Sequence, residues 1–545
     1  MIVYELSPPT PKLEEYKDTI NVVYQFFIHS NKLRQQENEY CLHQLVQNPL
    51  INNIYLLTER EYTLEELSIS SSEKIKQQVI GKRLTYKDFF DFIDTISGYC
   101  VLINSDIFLD ESIANIYISG LATQKSAFAQ LRFEFTYANM NDLSKCKIFG
   151  PRYDSQDAWM IHSNFNIPKK YRKAFEFNLG KPGCDNKILY LLRIMGYTVY
   201  NDPNCIKCYH YHTSQVRDYN KADLIKQPYV YMFPHGFFSS VQSRMYDFSD
   251  NEKLRNYIAR KLAKNENFII PRISSVENNY AVYGRMYKQN EMSFEEFNSY
   301  YLNTKHVMKN NAGIKLSNMK SVVKYSDFYL DAFDKCEVYG DWEPHGAYYR
   351  CIQQSHDWMS STYMPKAAVW AYNFDVFHFI FSEPWTLGLQ GTSESPRRIL
   401  LITPFEESIK SKLEKRENIY GIDLFPNCTF TFLKPPQTHA GNESREFDVE
   451  LQEFCNKLES IKYDFDVAIV SAGGYGNPIL SKIYDLGKSG IYGGGTLQMF
   501  FGVLGQRWLV ERPDVLKLFM NSDWSRPRST EKPKDCKNIE NGCYW

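Results

Sequence analysis

The sequence lacks a long hydrophobic run, an excess of charge of either sign, and a leader-like start. No apolar stretch reaches the roughly 20 residues that a membrane-spanning helix needs. The opening MIVYELSPPTPKLEEY carries Glu and Pro where a signal peptide has an apolar core. The 63 Lys and Arg against 64 Asp and Glu give a net charge of −1, which argues against a nucleic-acid partner. These absences predict a cytoplasmic protein without a membrane span.

The sequence also lacks the paired cysteine motifs of a structural zinc site. Its 12 Cys are scattered, which suits a reducing compartment and free thiols. Cys205 and Cys208 do have zinc-like spacing, and His210 and His212 follow closely. Because no second such pair is present, a zinc knuckle is an alternative rather than the preferred interpretation of these residues.

The chain is long enough for more than one hydrophobic core. Its 545 residues predict two or three domains. The aromatic fraction of 15%, with 40 Tyr, suits clefts lined by rings as well as ordinary cores. We place one α/β domain at 15–225, a second at 229–512 and a tail at 513–545.

Both halves alternate β-rich runs with segments of helical periodicity. Such alternation predicts an α/β fold in which two Rossmann-like domains carry mixed or parallel sheets. The strands expected are 21–28, 53–57, 79–80, 99–103, 268–273, 398–403 and 465–471, and the helices expected are 33–47, 86–96, 405–416 and 447–461.

The most informative residue is Asp106, directly after the apolar run Tyr99–Ile103 and Asn104-Ser105. A carboxylate at the end of a buried strand is costly unless a cation or a hydrogen-bond donor meets it. Ligands of open α/β sheets bind at the carboxyl ends of strands. Asp106 is therefore placed to hold a divalent metal, although it could instead cap the helix that follows.

Further residues of the first half could complete such a site. In CYHYHTS, the alternation places His210 and His212 on one face of an extended segment, where they could join Asp106 around a metal. Each could equally be an ordinary surface or core histidine.

Two acidic clusters could act on an acceptor hydroxyl. Asp157 lies in DSQDAW, and Asp185 lies after the glycine turn GKPGCDN. Either could orient the hydroxyl or take its proton, and Asp185 could instead cap the next helix. Arg83, Glu59 and Tyr24 lie near strand ends, where a diphosphate, base and ribose would bind.

The order of these motifs resembles a known family. With INSDI at a strand end, then SQDAW, GKPGCDN and NDPNCIKCYHYHTS, residues 20–215 resemble a GT-A-type glycosyltransferase domain. They are similar to capsid-glycan glycosyltransferases of large algal DNA viruses and to bacterial relatives. The resemblance implies a nucleotide-sugar donor and Mn²⁺ or Mg²⁺, with Asp106 as metal ligand. Asn104 stands where the family's DxD motif has its first Asp, and it could contact the ribose.

Glycine-rich turns mark the second half. Gly473, Gly474 and Gly476 follow one buried strand, and Gly494 lies in a second cluster after the next strand. Glycines at strand ends let the backbone approach a phosphate or ribose, although tight turns without a ligand would need them too.

The second half also resembles known proteins. The stretches from EPWTLGLQG to TPFEESI and from AIVSAGGYG to LGQRW are similar to bacterial proteins found with surface-polysaccharide enzymes, which look like the GT-D glycosyltransferase fold. That fold carries an Arg-x-x-Asp-x-Glu element. Arg272 and Glu277 match it, and Ser275 replaces the Asp. The resemblance implies a donor-binding role for Arg272 and a catalytic role for Glu277, and the replacement leaves open a domain that only holds the acceptor.

The resulting hypothesis is a two-domain hexosyl- or deoxyhexosyltransferase, bifunctional or not, that builds a surface or capsid glycan. It would use a nucleotide-sugar and a glycan acceptor, and could associate with other glycan-assembly enzymes in the cytoplasm, the host's if the protein is viral. Two alternatives remain for the second half: a non-catalytic acceptor-binding domain, or a methyltransferase whose SAGGYG loop holds S-adenosylmethionine. A wholly non-catalytic carbohydrate-binding protein is the third class.

Overall fold

The computed structural model describes residues 16–150, 152–216, 220–226, 228–232, 234, 249–342, 346–376, 384–539 and 542–545. The chain divides into two compact units, residues 1–245 and 246–545. Each unit has its own sheet and its own hydrophobic core.

The first unit combines a seven-stranded sheet with a smaller four-stranded one. Its strands are β1 (Ile20–Tyr24), β2 (Asn53–Thr58), β3 (Ile75–Val79), β4 (Tyr99–Ile103), β5 (Ile107–Leu109), β6 (Ser126–Gln130), β7 (Phe133–Phe135), β8 (Lys147–Ile148), β9 (Ala158–His162), β10 (Thr198–Tyr200) and β11 (Cys208–Tyr211). Its α-helices are α1 (Lys32–Gln47), α2 (Tyr86–Ile93) and α3 (Cys184–Ile194). The large sheet has the order β10-β6-β9-β4-β1-β2-β3, and the small one β5-β11-β7-β8.

The strands at the centre of the large sheet are apolar and fully covered. Every residue of β1 (INVVY) and β4 (YCVLI) is buried, as expected for parallel strands with both faces covered. Strands β1 to β4 run parallel to their neighbours in this group, whereas β9 runs antiparallel to β4 and β6. The carboxyl ends of β1, β2, β3 and β4 therefore meet at one edge of the sheet.

The second unit contains a five-stranded parallel sheet and a two-stranded one. Its strands are β12 (Ile269–Ile270), β13 (Val338–Asp341), β14 (Ala367–Trp370), β15 (Arg397–Ile402), β16 (Cys428–Leu433), β17 (Val467–Val470) and β18 (Ser489–Tyr492). Its α-helices are α4 (Ser249–Ala263), α5 (Val276–Lys288), α6 (Phe294–Ala312), α7 (Met319–Lys335), α8 (Gly346–Thr362), α9 (Glu406–Lys410), α10 (Arg416–Tyr420), α11 (Phe447–Ser460), α12 (Gly476–Asp485), α13 (Gln506–Glu511) and α14 (Pro513–Phe519). The larger sheet has the order β12-β18-β17-β15-β16, and β13 pairs with β14.

The predicted α/β class, with one mixed and one parallel Rossmann-like sheet, is confirmed. The helix expected at 405–416 is instead divided into α9, a 3₁₀ turn and α10. The division between the units falls after residue 245, and Val230 and Met232 hydrogen-bond to the first unit rather than starting the second.

Residues 513–545, which the sequence analysis sets apart as a tail, contribute to the second unit. Ile539 and Cys543 are buried there against Ala440. In the described part of the chain, no helix is both long and apolar enough to cross a membrane.

Candidate functional site

A cavity of about 750 Å³ opens at the carboxyl-end edge of the first unit's sheet. Residues that follow β1, β2, β3 and β4 line it, together with the turn before α3 and the segment after β11. It gathers eight of the residues singled out in the sequence: Glu59, Arg83, Asn104, Asp106, Asp157, Asp185, His210 and His212.

Asp106 faces cations and does not cap a helix. Its Oδ2 accepts a hydrogen bond of 2.6 Å from Arg34 Nη2 and lies 3.1 Å from His210 Nε2. The 3₁₀ helix that follows is capped by Asp110, which accepts a hydrogen bond from the Ser112 backbone N–H. The helix-capping alternative for Asp106 is therefore wrong.

Asp106, His210 and His212 form a cluster with the geometry of a metal site. Each offers one ligand atom, and these atoms all lie within 4.8 Å of one another. His212 Nδ1 is 3.7 Å from Asp106 Oδ2, and its Nε2 is 2.9 Å from the Val216 carbonyl oxygen. Because a carbonyl can only accept, Nε2 carries the proton and Nδ1 presents a lone pair to the cluster.

Charge compensation explains how Asp106 stays ionised in a buried position. Burial by itself would raise the pKa of the Asp106 carboxyl, but His210 and Arg34 outweigh it and hold that pKa well below its ordinary value. Burial would likewise lower the pKa of His210, whereas Asp106 and Glu134 raise it to about 9. A metal would thus have to displace a proton from His210 on binding.

A chain of alternating charges leads from Asp106 to Asp157. His210 Nδ1 lies 3.2 Å from Glu134 Oε2, and Arg132 Nε donates to Glu134 Oε1 at 2.8 Å. Arg132 Nη1 donates to Asp157 Oδ2 at 2.8 Å. Asp157 is thereby held in place by a guanidinium, which suits it to a positioning role.

Asp185 has the properties of a general base. It is the second residue of α3, whose N-cap is Gly183, so it does not cap the helix. It is partly buried, and its Oδ1 accepts a hydrogen bond of 3.0 Å from the Asn186 backbone N–H. Burial, with the negative charge of Asp157, raises its pKa to about 7. A carboxylate with this pKa can exchange a proton with an acceptor near neutral pH.

The predicted donor-binding residues of the first unit lie partly in the cavity and partly in the core. Arg83 and Glu59 lie exposed at the rim of the cavity, with Arg83 Nη2 donating to the Leu179 carbonyl at 3.1 Å. Asn104 Nδ2 is 3.4 Å from Asp157 Oδ1. Tyr24 is 1% exposed, belongs to the core and does not line the cavity. Its predicted contact with a ligand does not fit, because the last residue of β1 points into the core.

The zinc alternative for the two close cysteines is not supported. Cys205 and Cys208 are buried in the core of the first unit, and burial raises the pKa of Cys205 to about 12. Among the described residues, the metal-ligating group at this site is formed by Asp106, His210 and His212 and includes neither cysteine.

A second cavity, of about 450 Å³, lies in the second unit at the carboxyl ends of its parallel strands. Arg272 lies between two aromatic rings there, with its guanidinium carbon 4.5 Å from the Tyr492 ring centre and 5.5 Å from that of Trp342. Glu277 is the second residue of α5, and burial raises its pKa against the opposing effect of Arg272. Both residues line this cavity.

The four predicted glycines of the second unit divide into two kinds. Gly473 and Gly494 line the cavity with positive φ angles of 52° and 56°. Gly474 and Gly476 do not line it, and a Cβ would lie 2.4 Å from Ile314 at Gly474 and 2.6 Å from the Tyr492 ring at Gly476. The predicted cofactor-binding role does not fit these two glycines, because they lie outside the cavity lining.

The donor set of the first unit fits a divalent cation of the first transition series. Two imidazole nitrogens and one carboxylate can coordinate such an ion, and water or a ligand would complete its shell. The carboxylate is already ionised and the Nδ1 of His212 already unprotonated. The residues therefore fit a metal.

Sequence reasoning missed three residues of the site, Arg34, Arg132 and Glu134. Arg132 and Glu134 alternate with Leu131, Phe133 and Phe135, a period-two pattern that marks one polar face of a strand. That pattern could have indicated them, whereas nothing local to α1 links Arg34 to Asp106, 72 residues away.

Comparison with known proteins gives structural similarities only. No protein-family model and no curated protein sequence matches the chain. A structure of GalNAc-T7 with UDP, GalNAc and Mn²⁺ aligns over 36% of this chain and 44% of its own, less than half its length, at 11% identity and a TM-score of 0.26. The mannosyltransferase PcManGT from Pyrobaculum calidifontis, in complex with GDP-Man and Mn²⁺, aligns over 48% and 67% at 8% identity and a TM-score of 0.25.

A structure of domain of unknown function 1792 aligns over 52% of this chain and 96% of its own, at 12% identity and a TM-score of 0.28. At these scores the similarities assign no activity to the chain.

Proposed function

We propose that this protein is a glycosyltransferase whose first unit transfers a sugar, with the help of a metal, from a nucleotide-sugar donor to a growing surface or capsid glycan. The observation that carries the proposal is the convergence of Asp106, His210 and His212 beyond the end of β4, the central strand of the large sheet. The same cavity holds Asp185, a carboxyl group with a pKa near neutrality. A cation site beside such a group is what departure of a diphosphate and deprotonation of an acceptor require.

Mn²⁺ is the metal that we propose. Asp106, His210 and His212 would hold it, and two imidazole nitrogens suit it better than Mg²⁺, which prefers oxygen ligands and retained water. When bound, the ion would neutralise negative charge that develops on the leaving diphosphate.

The protein's own residues would do the remaining work. Arg83, exposed at the rim, and Lys181, in the turn before α3, would place positive charge near the diphosphate. Asp185 would accept the proton of the attacking hydroxyl, while Arg132 holds Asp157 in place to orient that hydroxyl. Glu59 and Asn104 would contact the nucleoside.

For the second unit we propose a binding role for an anionic ligand, with transferase activity as the alternative. Among the described residues that line its cavity, the acidic ones are Glu277 and Asp375, and Asp375 forms an ion pair with Arg512. A methyltransferase role is less favoured, because β18 ends without the acidic residue that would bind the ribose of S-adenosylmethionine. A hexosyl- or deoxyhexosyl specificity, association with other glycan-assembly enzymes and a cytoplasmic location remain predictions.

The test is thermal unfolding of the full chain with a panel of nucleotide-sugars, each with and without Mn²⁺. A ligand at 100 times its Kd stabilises the native state by about 2.7 kcal/mol. A nucleotide-sugar that binds therefore raises Tm, whereas one that does not bind leaves Tm unchanged. We expect a rise that needs Mn²⁺ and is lost in Asp106→Asn.

Asp110→Asn is the matched control, because Asp110 is four residues away, hydrogen-bonds Tyr209 and Ser112, and does not line the cavity. It should lower the baseline Tm but keep the response to donor and metal. A wild-type chain that responds to no nucleotide-sugar in Mn²⁺ would contradict the proposed function.

A further inference from the structure

A second carboxylate, that of Glu134, contacts the metal cluster through His210. Its Oε2 lies 3.2 Å from His210 Nδ1, on the side of the ring opposite to the Nε2 that faces Asp106. The His210 side chain is buried, at 9% exposure, and each of its ring nitrogens has a carboxylate partner. Glu134 itself is absent from the cavity wall.

Strand pairing explains why Glu134 lies beside His210. Strands β7 and β11 are parallel neighbours in which His210 is the direct partner of Glu134, and β5 pairs with the other side of β11. Partner residues on one face of a sheet have their Cβ atoms about 5 Å apart, within reach of a hydrogen bond between side chains. The contact is thus built into the register of the sheet.

The carboxylate of Glu134 is itself held in place. Its Oε1 accepts a hydrogen bond of 2.8 Å from Arg132 Nε, and Arg132 also stacks on Phe149, its guanidinium carbon 3.9 Å from the ring centre. Because Arg132 occupies Oε1, the other oxygen, Oε2, is an oriented acceptor directed at His210 Nδ1.

We propose that Glu134 is a positioning residue for the metal site: it holds the Nδ1–H of His210 and thereby presents Nε2 as the metal ligand. This inference rests on the proposed function. Histidines that bind metals commonly donate their second ring N–H to a carboxylate or carbonyl, which fixes the ring and increases the basicity of the ligating nitrogen.

The two histidines of the cluster are held in complementary ways. His212 donates its Nε2–H to the backbone carbonyl of Val216 and offers Nδ1, whereas His210 donates its Nδ1–H to a side chain and offers Nε2. A carboxylate that accepts the histidine N–H makes the other ring nitrogen a stronger metal ligand than a neutral carbonyl acceptor does. Glu134 is the member of this pair of contacts that mutation can remove.

The experiment measures Mn²⁺ binding to the full chain by the electron paramagnetic resonance signal of free Mn²⁺, without any sugar donor. We expect Glu134→Gln, which keeps an acceptor oxygen but loses the charge, to weaken Mn²⁺ binding about 10-fold, and Glu134→Ala to weaken it up to about 100-fold. The spin-echo modulation from imidazole nitrogen should fall in Glu134→Ala toward the pattern of His210→Ala.

Glu66→Gln is the matched control. Glu66 is as exposed as Glu134 (32% against 39%) and also pairs with an arginine, Arg60, but it is not part of the cavity wall. Glu66→Gln should leave Mn²⁺ affinity unchanged. A loss of folding stability without loss of the Glu134–His210 contact should likewise leave Mn²⁺ affinity unchanged.

Wild-type binding that persists undiminished in both Glu134 variants would overturn the role of Glu134 and leave the proposed function standing. A wild-type chain that binds no Mn²⁺ would overturn both this inference and the metal assistance. A weakened Mn²⁺ affinity of Glu134→Ala with an unchanged nitrogen modulation would also overturn the positioning role of Glu134, because His210 would then still be oriented as before.

Discussion

At the scale of single residues, the cluster around Asp106 is an arrangement of buried charges that compensate one another. Arg34 contributes to it twice: Nη2 bonds Asp106 and Nη1 bonds Glu37, which also accepts hydrogen bonds from Thr213 and Ser214. Breaking a buried ion pair by removing one partner leaves an uncompensated charge behind. Arg34 is therefore as important to the folded site as the ligands themselves.

Replacing Arg34 by Met tests this arrangement. We expect Arg34→Met to lower the free energy of unfolding by about 3 kcal/mol, because Asp106 and Glu37 both lose their guanidinium. The Mn²⁺-induced rise in Tm should become larger, since a competing cation has gone.

Urea unfolding with and without Mn²⁺ measures both effects. Arg60→Met is the control, because the Arg60–Glu66 pair is exposed and should contribute at most about 1 kcal/mol. Equal losses in the two variants would show that Arg34 has no special role.

A second prediction at this scale concerns pH. If Asp185 is the general base, it must be ionised, so kcat/KM should rise as the pH passes through about 7, and Asp185→Asn should lose that limb with most of the activity. Asp142→Asn, on an exposed surface carboxylate, should keep the wild-type profile.

Stability should change in the opposite direction. Because the folded pKa of Asp185 is raised, its contribution to stability is complete below its unfolded pKa and is lost as the pH rises toward 7. Asp185→Asn should therefore stabilise the protein by roughly 2 kcal/mol at pH 8 but have little effect at pH 4. A Tm difference independent of pH would show that Asp185 is not titrating in this range.

At the scale of secondary-structure elements, the start of α3 connects a backbone requirement to the site. Gly183 has a φ of +78°, and a Cβ there would lie 2.6 Å from the Tyr229 hydroxyl. The left-handed conformation of this glycine allows the turn that brings Asp185 to the cavity.

Gly183→Ala should therefore be more harmful than an alanine at another left-handed glycine. We expect a loss of more than 1 kcal/mol in the free energy of unfolding, with reduced turnover, because both backbone strain and the contact with Tyr229 oppose it. Gly81→Ala is the comparison, since Gly81 has a φ of +69° and open space where its Cβ would be. Thermal unfolding of the two variants separates strain from collision, and equal losses would exclude any effect of Tyr229.

At the scale of the whole molecule, each unit carries its own cavity at the carboxyl ends of parallel strands. The chemistry of the two differs. The first cavity contains a cluster of metal-ligating side chains, and the described residues of the second contain no such group of three. The second presents Arg272 between two aromatic rings instead.

This difference predicts separable effects in the full chain. Asp106→Asn should reduce Mn²⁺-dependent turnover of the donor at least 100-fold. Arg272→Ala should leave hydrolysis of the donor intact and should slow transfer to the acceptor, the step that would need the second cavity. Rates of donor hydrolysis and of transfer to acceptor, measured side by side, distinguish these outcomes. Loss of hydrolysis in Arg272→Ala with Asp106→Asn unaffected would place the chemistry in the second unit.

The α/β class and the position of the site at strand ends could be predicted from the sequence because both follow from local patterns. Buried runs such as Tyr99–Ile103 fix the strands, and the polar residues after them fix one edge of the sheet. The hydrogen bond from the Val230 backbone N–H to the Asn186 carbonyl, by contrast, is indicated by no local pattern.

The sequence by itself determined which side chains stand at the ends of buried strands, since that depends on a periodicity of two and on where apolar runs stop. Only the tertiary structure decided which of them meet: it turned Tyr24 into the core, set Gly474 and Gly476 in close packing, and brought Arg34 and Glu134 to the histidine cluster. The physical reason is that contacts between residues 72 to 104 positions apart are set by strand order and register, which chain-local patterns do not contain.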